Sequence, residues 1–397
     1  MKYGVVYEMY QWGNEFMRVL HLISSSGFYG ADNVLIELSK QLRHSFFLPV
    51  IGVFENKHNP HLEVVEVARQ HSLPVQIFPC KGKLDLKTVL LIRRFVDEQK
   101  INLIHTHGYK SNFYTTAAVI GKKIPMITTC HNWLGDDIKM KFYARLDKFF
   151  LNRFDKIIAV SDAVNQEILN HGISSEKLVT VYNGINIKRF NNRINENNIR
   201  KKLGIEDDCK VIGTVGRLSE EKGHIYFLKA AEKVLQKYSR VVFLIVGDGP
   251  LREYLEEKAC RIADKLYSQK VISQNPFIFT GVRNDISTIY SIMDIFVLPS
   301  LTEGLPMVLL EAMASRKPVV ATDVGAVSSV FEHGRSGVLI EPGNVNNLSM
   351  EIMGLLANPK KIQKMANHAR QKVELEFSSN IMTEKYLDVY QDVLQSG

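Results

Sequence analysis

The chain has 397 residues, with 45% hydrophobic and 9% aromatic residues, and 50 Lys and Arg against 42 Asp and Glu, for a formal net charge of +8. That length exceeds what one core ordinarily supports, so two domains of ordinary globular composition are expected. No apolar run approaches the ~18 residues that span a bilayer, and Cys80, Cys130, Cys209 and Cys260 lack the short paired spacing of a zinc knuckle, a redox pair or a secreted disulfide scaffold.

Charge is uneven along the chain. Residues 1–190 carry 24 Lys and Arg against 17 Asp and Glu, and the remainder carries 26 against 25. A basic half points to an anionic membrane surface or a phosphorylated acceptor, and no nucleic-acid-binding motif accompanies it. Glu8 and Glu15 interrupt any signal-peptide pattern, so a cytoplasmic location is expected.

In chain order, Tyr3, Tyr7, Tyr10 and Trp12 form an aromatic preface with two open accounts. One is an accessory element at a membrane interface; the other is a native start at Met17. Strands are then expected at 19–24, 47–54, 75–78, 103–106, 126–129 and 156–160, with helical stretches such as 31–43 and 86–100 between them. The polar, Asn-rich stretch 191–198 reads as an interdomain linker, after which the pattern restarts with strands at 210–215, 241–246, 277–280, 295–299, 319–322 and 338–340. Short β-rich runs alternating with amphipathic helices specify an α/β fold, and two Rossmann-like domains facing a cleft are its simplest form, with ligands at the carboxyl ends of strands. A last helix over about 379–394 carries an apolar face that docks on a domain surface.

The loops after these strands carry the chemistry. After the first strand, Gly27 and Gly30 let the backbone approach a ligand that also faces a helix N-terminus. A third glycine of the dinucleotide fingerprint is missing, which disfavours hydride transfer. His105 and His107 end the fourth strand without a visible third and fourth metal ligand. His131 lies just past the fifth, placed to donate to a hydroxyl or sense developing charge. Basic residues between Lys139 and Lys156 alternate with Phe142, Tyr143, Leu146, Phe149 and Phe150, read either as a core stripe with a solvated face or as a helix docking on an anionic bilayer.

In the second half, Gly216-Arg217-Leu218-Ser219-Glu220-Glu221-Lys222-Gly223 places a guanidinium and an ammonium in one loop, suited to neutralising a diphosphate, and it is not a Walker A loop. Gly247-Asp248-Gly249-Pro250 makes a sharp turn into a helix. Val282 and Arg283 follow the next strand, where backbone groups can read a base edge. Glu303 and Glu311 stand eight residues apart around a helix start, with Pro306 expected at the first helical position. Glu311 has apolar sequence neighbours, so its carboxylate needs hydroxyl donors, and the free N–H groups of the helix start favour a phosphate.

Together Gly30, His131, the 216–223 loop, 247–250, 281–286 and the Glu303–Glu311 segment resemble, in order, the retaining GT-B glycosyltransferases of the family 4 group (glycosyl transferases group 1). Ala159-Val160-Ser161-Asp162-Ala163-Val164 and Val181-Tyr182-Asn183-Gly184-Ile185-Asn186 extend the match. The resemblance implies a GT-B architecture with an acceptor-side domain at 1–190, a nucleotide-sugar-binding domain at 191–376 and a C-terminal helix, 377–397, crossing back to the first domain. It implies that Arg217 and Lys222 grip the diphosphate, that Glu303 with the Gly304 and Leu305 amides contacts the donor sugar, that Glu311 takes the ribose, and that the Val282–Arg283 region holds the base. Gly27 and Gly30 would close the phosphate side, with His131 near the reacting centre. The group uses a front-face displacement in which the leaving phosphate deprotonates the acceptor, so no cofactor and no metal are expected.

Two departures stand out: Tyr29-Gly30 replaces a double glycine, and Gly325-Ala326-Val327-Ser328-Ser329 replaces a Gly-Gly-x-Pro-Glu pattern. The expected protein is a cytoplasmic enzyme, peripheral at the inner face of the membrane through its basic first domain. It moves a hexose or N-acetylhexosamine from a nucleotide sugar, such as a UDP-sugar, to a lipid-linked or saccharide acceptor in polysaccharide or cell-envelope glycan synthesis. Rival readings are a nucleotide-sugar epimerase and a non-catalytic sugar-nucleotide-binding protein.

Overall fold

The computed structural model describes residues 16–25, 27, 30–57, 61–82, 84–131, 149–191 and 196–396. The aromatic preface over 1–15 and the basic aromatic stretch over 139–148 lie outside the described residues.

The first sheet is built from β1 (Met17–Ile23), β2 (Phe47–Asn56), β3 (Val75–Cys80), β4 (Leu103–His107), β5 (Met126–Cys130), β6 (Lys156–Ala159) and β7 (Leu178–Thr180), in the order β3-β2-β1-β4-β5-β6-β7. Pairing from β3 through β5 is parallel, with His21 opposite His105 and Ile23 opposite His107 across β1 and β4. A parallel sheet is covered on both faces, which is why Val19, Leu20 and Leu22 are all fully buried although successive side chains point to opposite sides.

The second sheet comprises β8 (Lys210–Val215), β9 (Val241–Val246), β10 (Phe277–Phe279), β11 (Ile295–Leu298), β12 (Val319–Thr322) and β13 (Val338–Ile340), in the order β10-β9-β8-β11-β12-β13, with parallel pairing throughout. All six residues of β9 are buried, as a central strand of such a sheet requires. Both sheets place their first strand centrally and reverse direction of growth beside it, the doubly wound pattern that leaves ligand space at the carboxyl ends of strands.

Contacts group the chain into two units, with divisions at Thr129/Cys130, Ile157/Ile158 and Tyr386/Leu387. The last helix, Ser379–Ser396, therefore starts in the second unit and ends in the first. Within the first unit, the Tyr390 hydroxyl lies 2.7 Å from His105 Nδ1, and Lys156 pairs with Asp392. All four cysteines are free thiols, Cys80, Cys130 and Cys209 buried and Cys260 exposed.

Strand positions follow the sequence pattern to within a residue or two, and the differences have physical causes. Strand β7 is three half-buried residues at a sheet edge, too short to register as an apolar run. Part of the stretch read as a linker is the helix Glu196–Lys202, which buries no residue and so shows no apolar period. Its acidic first turn and the basic Arg200, Lys201 and Lys202 of its last turn match the helix dipole, and the Arg200 guanidinium donates to the Glu206 and Cys209 carbonyls. Pro306 is not the first helical residue. It sits one position earlier, as the extended cap of the helix Met307–Ala314.

Candidate functional site

The loops that leave the carboxyl ends of β8, β9, β11 and β12 are tied to one another. Backbone N–H groups of Leu301 and Thr302 donate to the Glu221 carbonyl, and the Leu218 amide donates to Asp248. Gly223 has φ of +64°, and a Cβ there would lie 2.1 Å from the Pro299 carbonyl oxygen, so only glycine lets these two loops meet. Gly325 plays the same part across the next pair: its φ is +54°, a Cβ would fall 1.8 Å from the Glu303 carbonyl oxygen, and the neighbouring Ala326 amide donates to the Gly304 carbonyl.

This packing joins two residues 81 positions apart. Lys222 Nζ lies 2.7 and 2.8 Å from the two carboxylate oxygens of Glu303, and the Ser300 hydroxyl donates to Oε1 at 2.7 Å. Strands β8 and β11 are neighbours in the sheet, which is why the turn Glu220–Lys222 and the loop after β11 share one rim. The Glu303 side chain is 6% exposed and that of Lys222 26%. An almost buried carboxylate held by two donors has fixed oxygens, and the ammonium keeps an open side from which it can reach an anion. Arg217, in the same loop, is exposed, and its guanidinium makes no ion pair or hydrogen bond among the described residues, its carbonyl alone accepting from the Ser219 amide.

Glu311 is the fifth residue of the helix Met307–Ala314, whose Leu309, Leu310, Ala312, Met313 and Ala314 are buried. The hydroxyl of the fully buried Tyr290 lies 3.1 Å from Glu311 Oε2 and 3.1 Å from the Val308 carbonyl. Burial pushes the Glu311 carboxyl up to about 7, against the opposing pull of Tyr290 and of the Arg189 charge. Such a group is half ionised near neutrality and gains most from a ligand that brings hydroxyl donors. The Gly304 and Leu305 amides precede the helix, with Leu305 buried in the core.

The remaining sequence candidates are placed as follows. Arg283 is forked onto Asp285, 2.8 and 2.7 Å from its two oxygens, while Val282 is exposed beside it. His131 follows β5, and burial holds its imidazole down at about 4, so the ring is neutral at physiological pH. Gly27, with φ of +134°, and Gly30, the first residue of the helix Gly30–Leu42, belong to the first unit, as do His105 and His107, whereas His131, Arg217, Lys222, Val282, Arg283, Glu303 and Glu311 belong to the second.

Sequence reasoning missed Ser300, Tyr290 and His224. The 12-residue helix His224–Leu235 opens on His224, 3% exposed, whose ring nitrogens have no partner among the described residues and whose Cε1 would be 3.8 Å from a Cβ on Gly216. A histidine directly after Lys222-Gly223 was a visible signal. Ser300 and Tyr290 had none: the Ser300 hydroxyl meets Glu303 only through the local shape of its loop, and Tyr290 meets a partner 21 positions away. The histidine pair His105 and His107 also gains a third member: His21 Nδ1 lies 3.2 Å from His107 Nε2, and His105 Nε2 lies 2.8 Å from Thr129 Oγ1, all buried.

Residues 195–372 match the model of the glycosyl transferases group 1 family, and residues 28–189 match that of glycosyltransferase family 4. The chain is a family 4 glycosyltransferase. The Escherichia coli UDP-Gal:alpha-D-GlcNAc-diphosphoundecaprenol alpha-1,3-galactosyltransferase is 25% identical over 319 residues, 78% of this glycosyltransferase and 80% of that protein. The N-acetyl-alpha-D-glucosaminyl L-malate synthase of Bacillus anthracis is 25% identical over 384 residues, 92% and 94% of the two chains. In fold, the glycosyltransferase superposes on Anabaena HepE in complex with UDP with a TM-score of 0.82 at 23% identity, covering 95% of this chain and all of the other. The two doubly wound units and this likeness give the enzyme the GT-B architecture.

Proposed function

We propose that the enzyme transfers a hexose or N-acetylhexosamine from a nucleoside-diphosphate sugar, with retention of configuration, to a lipid-linked or saccharide acceptor in cell-envelope glycan synthesis. The observation that carries this reading is the Lys222–Glu303 pair at one rim with the unpaired Arg217. An ammonium and a guanidinium in one loop suit a diphosphate, and a carboxylate with fixed oxygens against the ammonium suits sugar hydroxyls. Glu311, oriented by Tyr290, suits the ribose.

In this reading Arg217 and Lys222 stabilise the charge that gathers on the departing diphosphate. The bond from the anomeric carbon to the phosphate oxygen breaks, the acceptor oxygen bonds to the same face of that carbon, and the acceptor proton passes to the departing phosphate. His131, neutral at working pH, donates a hydrogen bond near the reacting centre, Gly27 and Gly30 close on the phosphates, and the backbone at Val282 and Arg283 meets the base. With the leaving group neutralised by side chains, turnover is expected to persist in EDTA. UDP-sugars are the leading donors, since the named galactosyltransferase relative uses UDP-Gal and HepE was crystallised with UDP.

A thermal-shift screen against nucleotides and nucleotide sugars tests the donor assignment, because a ligand that binds only the folded protein raises its melting temperature. The anomeric configuration of the product, read by NMR with the best donor, tests retention. No shift with any nucleotide sugar, or an inverted product, overturns the corresponding part.

A further inference from the structure

The first unit exposes a row of large apolar side chains on one helix. The helix Leu86–Glu98 follows β3, capped by Asp85, whose side chain accepts from the Lys87 amide. Thr88, Ile92 and Val96 form its buried face. On the other side Leu86 is 80% exposed, Leu90 64% and Leu91 44%, and Leu84 just before the cap is 78% exposed. Four leucines in eight positions face solvent where an ordinary surface helix carries polar residues.

The surroundings are basic. Lys81 and Lys87 are exposed beside the leucines, and residues 81–100 hold six Lys and Arg against three Asp and Glu. The patch also continues past the helix: the Arg93 guanidinium donates to the Ala118 and Ile120 carbonyls, which fixes the 63% exposed Ile120 against the flank. Because the helix follows β3, its first turn lies at the carboxyl edge of the sheet. The helix after β4 opens at that same edge with the exposed Tyr109 and with Lys110.

We propose that this face, centred on Leu84, Leu86, Leu90 and Leu91, docks on an anionic lipid bilayer. The leucines enter the acyl boundary, Lys81 and Lys87 lie at the headgroups, and Tyr109 sits at the interface where an aromatic ring with a polar end is favoured. Charge selects this occupant over a second copy of the chain. A two-fold contact through the patch would set Lys81 and Lys87 against their own like charges, whereas an anionic surface neutralises them. No helix among the described residues is long and apolar enough to cross a membrane, so contact of this kind is peripheral. The surface stands whether or not the acceptor is lipid-linked, and docking it turns the carboxyl edge of the first sheet toward the membrane.

The test is co-sedimentation of the full chain with vesicles of equal parts phosphatidylglycerol and phosphatidylcholine, compared with phosphatidylcholine alone. The wild type binds the anionic vesicles, and raising salt weakens binding by about fivefold for each basic residue engaged. Leu86→Ser/Leu90→Ser binds about tenfold or more weakly. A control with exposed apolar residues of the second unit removed, Tyr254→Ser/Met350→Ser, binds like the wild type. Unchanged melting temperature and UDP binding in the leucine variant exclude misfolding. Equal binding by the leucine variant and the wild type overturns the proposal, as does equal binding to neutral vesicles. Sedimentation equilibrium showing a dimer that the leucine variant abolishes also overturns it and assigns the face to a second copy.

Discussion

Replacing Glu311 by glutamine is expected to stabilise the ligand-free enzyme and weaken nucleotide binding at once. Burial raises this carboxyl from its ordinary value of 4.5 to about 7, so the folded state binds a proton more tightly than the unfolded chain does. A raised folded value means that the favourable contribution is whole below pH 4.5 and is lost as pH climbs through about 7. At pH 8 the folded protein holds an ionised carboxylate in poor surroundings. One pKa unit is about 1.4 kcal/mol, so the shift corresponds to roughly 3 kcal/mol at most, and about 1–3 kcal/mol after allowance for partial solvation. Glutamine keeps an acceptor for the Tyr290 hydroxyl, 3.1 Å away, and carries no charge. Urea midpoints of Glu311→Gln and wild type should therefore differ in favour of the variant at pH 8 and converge at pH 4. Calorimetric UDP binding should strengthen with pH through about 7 in the wild type, because ribose hydroxyls favour the ionised form, and stay flat and weaker in the variant. A variant less stable than wild type at pH 8, or an equal stability difference at both pH values, would refute the reasoning.

Three further outcomes follow from the same geometry. Lys222→Ala leaves the 6% exposed Glu303 carboxylate with Ser300 as its remaining donor. A stability loss of about 1–3 kcal/mol in urea titration and a UDP affinity lowered by about tenfold or more are expected, and unchanged affinity would remove Lys222 from the donor site. Gly325→Ala drives a Cβ into the Glu303 carbonyl from a left-handed backbone position, so it should cost about 2 kcal/mol or more and loosen the Glu303 loop, visible as a drop in donor-induced thermal shift. His21 is fully buried, and burial pushes its imidazole down to about 3. Its contribution is whole above its ordinary 6.5 and is lost as pH falls toward 3, so urea midpoints should decline over that window. His21→Gln should flatten the decline by up to about 1.4 kcal/mol per pH unit, and an unaltered slope assigns the acid sensitivity elsewhere.

Legibility followed the length scale of each signal. Buried strands such as β9 were readable because a parallel sheet is covered on both faces, so its strands appear as continuous apolar runs. The loops that carry Arg217, Lys222 and Glu303, and the start of the helix that carries Glu311, were readable because glycine, proline and charge punctuate them. The helix Glu196–Lys202 was not, since it buries no residue fully, Ile199 alone resting partly buried against the core, and one apolar contact gives its sequence no period. Tyr290 was equally hidden. Its sequence position marks it as one more core aromatic, and only the approach of its hydroxyl to Glu311 gives it a polar task.

By itself the sequence determined the doubly wound strand and helix alternation, the family, and the residue types gathered in the loops after β8 and β11, because each is written in local chemistry. The tertiary structure decided which of those residues meet. Adjacency of β8 and β11, together with glycines at 223 and 325 that no larger residue can replace without a clash, sets Lys222 on Glu303. The same is true of the exposed leucine row: periodicity shows that one face of the helix Leu86–Glu98 is apolar, and only packing shows that leucines also occupy the face the core leaves uncovered.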